Sequence, residues 1–130
     1  MKKIFFIVFT MFLMCGCQAK DKEPLVFKGK SENWSVEEKV YSNLDKGNEE
    51  NKKIILEYKG NDVKSVGDFE FKVEAPNGQW GIADIQLNDK GVFMNDSKGP
   101  VSRKIFKSDE LTIIINWKDK TESFPLKNIE

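Results

Sequence analysis

After residue 24 the apolar positions recur with a period of two, in short runs cut by Gly, Asn, Asp and Pro. Alternation of this kind sends every second side chain to one face of a strand. Leu25-Val26-Phe27 reads as a first strand ending at Gly29. From Asn33 to Tyr41, Trp34, Val36 and Val40 fall on one side, with Ser35, Glu37, Lys39 and Tyr41 on the other. Leu44 to Asn51 reads as a loop, and Lys53 to Lys59 as a strand with Ile54, Leu56 and Tyr58 on one face. Phe69, Phe71 and Val73 alternate with Asp68, Glu70, Lys72 and Glu74, a half-buried strand that runs into the tight turn Pro76-Asn77-Gly78. Ile82 to Leu87 and Val92 to Met94 follow, with a turn at Asn88–Gly91 between them. Asn95 to Pro100 reads as a loop, and Val101 to Lys107 as a weaker, edge-type strand. Leu111, Ile113, Ile115 and Trp117 form the longest apolar stripe, with Ile114 on the reverse, which suits a central strand. Lys118-Asp119-Lys120 connects it to a last strand, Thr121 to Leu126, where Pro125 favours an edge or terminal place. Seven or eight short strands without helical periodicity predict an all-β fold over residues 25–130, an immunoglobulin-like antiparallel β-sandwich.

The first 17 residues follow a different pattern. Met1-Lys2-Lys3 is cationic, and Ile4 to Met14 is apolar except for Thr10. A stable membrane span needs about 20 apolar residues, so this run has the length of a signal segment instead. Met14-Cys15-Gly16-Cys17 then resembles the lipobox of a bacterial lipoprotein precursor: an apolar residue, two small ones and the cysteine. The resemblance implies removal of residues 1–16 as a lipoprotein signal peptide and attachment of a diacylglycerol to the Cys17 thiol. The protein would then be anchored to the lipid bilayer, on the outer face of the cytoplasmic membrane. Two or more acyl chains hold durably where one does not. Residues 17–24 combine this cysteine with a polar tether, Gln18 to Pro24, that spans at most about 25 Å. Further along, Phe27-Lys28-Gly29-Lys30-Ser31-Glu32-Asn33-Trp34 resembles the F-x-G-x-S-E-N-W opening of small lipoproteins of Gram-positive bacteria. Ile115 to Glu122 is similar to their closing hairpin, with Lys118-Asp119 at the turn.

Composition narrows the function. Of 21 basic and 21 acidic residues, loss of Lys2 and Lys3 leaves 19 basic in the processed chain, a net charge of about −2. With this balance and a single arginine, Arg103, no nucleic-acid footprint exists and no nucleic-acid partner is expected. The chain has no histidine, which removes Ser-His-Asp and Cys-His catalysis and histidine-ligated metals. Cys15 and Cys17 are the only cysteines, so the domain carries no disulfide. Asp84, Asn88, Asp89, Asn95 and Asp96 offer oxygens but match no calcium-loop spacing, so no metal and no cofactor is expected. Asp45, Glu49 and Glu50 interleave with Lys46, Lys52 and Lys53, as on a solvated face.

Trp34 and Trp117 lie on apolar stripes and read as core. Trp80, between Gly78 and Gly81, reads either as a contact residue at a loop tip or as a cap folded over the end of the domain. The candidate binding residues are therefore Gln79 and Trp80 in one loop and Asn95 and Asp96 in another. The function expected from these readings is a non-enzymatic binding module that meets an envelope protein or an extracellular ligand. The alternatives are a structural accessory subunit that lends an edge strand to an envelope complex, and a hydrolase built on two carboxylates facing one pocket, one with a raised pKa.

Overall fold

A computed structural model describes residues 24–43 and 49–129; the signal segment, Cys17 and most of the tether lie outside the described residues. The element order is β1 (Leu25–Lys30), β2 (Trp34–Asn43), β3 (Glu49–Tyr58), a 3₁₀ turn (Val63–Ser65), β4 (Phe69–Ala75), β5 (Gly78–Ile85), β6 (Val92–Pro100), β7 (Leu111–Trp117) and β8 (Lys120–Asn128). Alternation accounts for the strands. In β7 the buried positions are Leu111, Ile113, Ile115 and Trp117, and in β4 they are Phe69, Phe71 and Val73.

The eight strands are antiparallel and form one sheet in the order β5-β4-β7-β8-β1-β2-β3-β6. The sheet curls into a half-barrel, and the expected sandwich of two separate sheets is not shown. The physical reason lies in β8, which pairs with β7 from Lys120 to Leu126 and with β1 at Lys127 and Asn128. Pro125 has no N–H to give. The ladder to β1 takes up only beyond it, and there the sheet turns. Gly29 of β1 makes this crossing close, because a Cβ there would stand 2.2 Å from the Pro125 carbonyl oxygen and 2.9 Å from Leu126 Cδ2.

Curling brings distant strands face to face. Trp34 of β2 packs on Phe69 of β4 at 5.2 Å, on Trp117 of β7 at 5.4 Å and on Tyr58 of β3 at 5.3 Å between ring centroids. Phe93 of β6 reaches Phe69 and Phe71 of β4 at 6.0 and 6.1 Å. Trp34 and Trp117 are core residues, as their stripes predict.

Four local readings change. Asn95–Pro100 is not a loop: it continues β6, laddered against β3 as far as Glu49↔Pro100. Residues 101–107 form no strand and belong to the crossover from β6 to β7. The strand β3 begins at Glu49, inside the expected loop. Last, β8 is an interior strand between β7 and β1, not an edge, and Pro125 is tolerated where the two ladders part.

Candidate functional site

The two ends of the strand order, β5 and β6, remain unpaired with one another. They nevertheless approach across the half-barrel. Phe93 of β6 touches β4, the only ladder partner of β5 among the described residues, while the Trp80 ring of β5 lies 5.8 Å from Lys52 Nζ of β3. The result is a seam where a closed barrel would have one more ladder.

The residues expected to bind sit on these edges, not on loop tips. Trp80 is within β5, opposite Val73, and its half-buried ring packs edge-on against Phe71 at 5.4 Å. Its position in an edge strand, with the ring turned inward, corrects the loop-tip reading. Gln79 is exposed and its Nε2 donates to Glu74 Oε2 at 3.1 Å. Asn95 opposes Ile54 on the inner face of β6, and Asp96 opposes Lys53 on the outer face. Trp80 and Asn95 thus face inward from the two sides of the seam, whereas Gln79 and Asp96 face outward.

Beneath the seam lies a polar group that alternation alone could have flagged. Glu38 shares the inner face of β2 with Trp34, Val36 and Val40 and is 1 % exposed. Neither of its carboxylate oxygens has a hydrogen-bond partner, and neither does the buried Trp80 indole N–H, which turns toward it without meeting hydrogen-bond geometry. Burial pushes the Glu38 carboxyl up from 4.5 to about 7, against the opposing pull of Lys52 and Trp80; the nearby Glu50 adds to the rise.

Glu50 is 2 % exposed, which corrects its reading as part of a solvated acidic face. One oxygen accepts Asn77 Nδ2 at 3.2 Å and the other accepts the Ile105 N–H at 3.1 Å, with Lys52 Nζ at 3.8 Å. Asn77 Nδ2 also donates to the Arg103 carbonyl at 2.8 Å. A single carboxylate therefore ties β3 to the β4–β5 turn and to the crossover, and closes one end of the seam.

At the opposite end of the molecule, Glu122 of β8 accepts from Ser31 Oγ, from the Asn33 N–H at 3.1 Å and from Asn33 Nδ2 at 2.5 Å. Burial works against the charge, but these hydrogen bonds outweigh it and hold the carboxyl below its ordinary value. The S-E-N segment and the closing hairpin, two separate motifs in the sequence, are in direct contact.

A polar cleft of about 270 Å³ opens elsewhere, lined by Asp68, Phe69, Glu70, Asp84, Asn116, Trp117 and Lys118. Asp84 (φ 57°) and Lys118 (φ 49°), on its wall, hold left-handed backbone conformations. Among the described residues no three Asp, Glu or Cys side chains gather into a group that could hold a metal ion. Comparison with family models, with curated proteins and with solved structures gave no match.

Proposed function

We propose that this protein is a lipid-anchored extracytoplasmic module that recognises a partner protein by strand addition at the seam, with β5 as the receiving edge. The observation that carries the reading is the edge of β5 itself, which is unpaired among the described residues. Its outward side chains, Gln79, Gly81 and Ala83, are exposed and mostly small, so they leave the free backbone groups open to an incoming strand. The opposite edge, β6, presents Asp96, Lys98 and Pro100, residues that discourage pairing. Trp80, anchored on Phe71, forms the inner wall against which a partner's side chain packs.

A non-enzymatic role agrees with the chemistry of the one strongly perturbed carboxyl. Both Glu38 oxygens are enclosed, so no substrate atom reaches them in this conformation. A raised pKa is then a consequence of burial, not a poised acid.

Two measurements test the reading. Photo-crosslinking on intact cells from a probe at Gln79 should capture one dominant protein, with a probe at Asp119 as the control. Background labelling from both positions would sink the strand-addition reading. Cys17→Ala should leave the protein uncleaved or release it to the medium; a processed and membrane-retained variant would sink the anchor.

A further inference from the structure

The crossover from β6 to β7 contains Arg103-Lys104-Ile105-Phe106-Lys107. Its two apolar residues are treated in opposite ways. Ile105 is buried, its N–H fixed to Glu50 Oε2 at 3.1 Å. Phe106 is 51 % exposed although its backbone is held: its N–H donates to Asp109 Oδ2 at 2.8 Å, and its carbonyl accepts the Asp109 N–H at 3.0 Å. The Arg103 guanidinium lies 5.4 Å from the centre of the ring. Phe106 is thus presented to solvent by an ordered turn, with Lys104 and Lys107 on either side in the chain.

Two further exposed apolar side chains share this end of the half-barrel. Tyr41, 37 % exposed, follows Val40, which opposes Leu25 at the start of β1. Ile129, 54 % exposed, donates its N–H to the Val26 carbonyl at 3.2 Å. Ser42 opposes Glu50, which places the crossover at the same rim. This is also where the chain enters the domain, seven residues after Cys17, a reach of at most about 25 Å. Three of the four exposed large apolar side chains among the described residues therefore lie at the end of the half-barrel where β1 begins.

We propose that this rim docks on the bilayer, with Phe106 and the nearby Lys104 seated among the lipid headgroups and Tyr41 and Ile129 at the same end. The proposal rests on the lipid-anchor reading given above. Aromatic rings and lysines are the side chains that settle at a membrane interface, the ring in its apolar part and the ammonium groups toward the headgroups. Among the described residues of the rim, Glu49 pairs with Lys98 (3.6 Å), Asp109 with Arg103 (3.2 Å) and Glu110 with Lys127 (3.9 Å), so these acids do not oppose the approach. Three side chains bind too weakly to recruit a free domain. A short tether supplies an effective concentration of about millimolar, at which weak contacts are occupied. Docking would fix the domain upright and keep the turn at Lys118-Asp119, at the far end, away from the lipid.

The test uses the mature lipidated protein reconstituted in vesicles of phosphatidylglycerol and phosphatidylcholine. A Ser108→Cys variant, one carrying Asp119→Cys and a Ser108→Cys/Phe106→Ser double variant are labelled with an environment-sensitive fluorophore. Acylated Cys17 has no free thiol, so each chain takes one label, counted by mass spectrometry. The probe at 108 should emit to the blue of the probe at 119 and be quenched several-fold less by aqueous iodide. Phe106→Ser should abolish that difference. Equal emission and quenching at 108 and 119 in singly labelled protein would overturn the docking while leaving the anchor intact. A second label on Cys17 would overturn the anchor, and the docking with it.

Discussion

Glu38 is the residue whose chemistry departs furthest from its sequence neighbours. Its side chain faces a core of Trp34, Val36 and Val40, with no hydrogen bond to either oxygen. A carboxyl raised from 4.5 to about 7 binds its proton more tightly in the folded than in the unfolded chain. Between those values the folded state holds the proton and the unfolded state does not, so stability falls as pH rises. The shift corresponds to about 3 kcal/mol across that window, fully present below pH 4.5 and lost once the pH exceeds 7. Glu38→Gln should flatten the profile. Urea midpoints measured from pH 5 to pH 8 should decline in the parent protein and stay level in the variant, which becomes the more stable of the two at pH 8. Parallel profiles for both proteins would show that Glu38 is not the titrating group. Glu122 has the opposite sign: with its carboxyl held low, its contribution is present above the ordinary carboxylate range and disappears as pH falls through the lowered value.

At the scale of elements, β1 and β8 meet over only two ladder pairs, Phe27↔Asn128 and Lys28↔Lys127. Gly29 lets the strands close beyond them. Gly29→Ala would drive a Cβ to 2.2 Å from the Pro125 carbonyl, which is backbone and cannot rotate away. A loss of about 1–3 kcal/mol is expected, as for other overpacked sites, and a thermal melt of the variant would measure it; an unchanged melting temperature would mean that the crossing is looser than described. Strands with apolar faces on alternate residues, such as Phe69–Val73 and Leu111–Trp117, were legible because tertiary packing and local periodicity agree there. The extension of β6 was not: Asn95 to Pro100 has loop composition, and only the ladder to β3, a partner distant in sequence, makes it a strand. Residues 101–107 erred the other way, because Ile105 is buried as a plug under Glu50 and not as part of a stripe. Glu38, a charge out of phase with its strand, carries a signal in the alternation that the candidate residues do not include. The setting of Trp80 in an edge strand was not legible, because it depends on which strands stay unpaired, and alternation cannot report that.

For the molecule as a whole, Glu50 holds one end of the seam shut. Glu50→Ala would leave the Ile105 N–H without its acceptor, strip Asn77 of one contact and leave Lys52 without its nearest carboxylate. A penalty of about 2–4 kcal/mol is expected from these uncovered groups. It should be accompanied by faster amide exchange in β5 than in β7, since the β4–β5 turn loses its tie. Uniform acceleration across all strands would mean that Glu50 stabilises the fold globally instead of latching the hairpin.

The place of β8 beside β1 also governs timing. Both ladder pairs to β1 are supplied by residues 127 and 128, about a hundred positions downstream in the chain. A ribosome delivers β1 first, and until those residues emerge β1 has only β2 to pair with. The curl therefore cannot complete before residues 127 and 128 are available, so the first strand of the chain waits for the last.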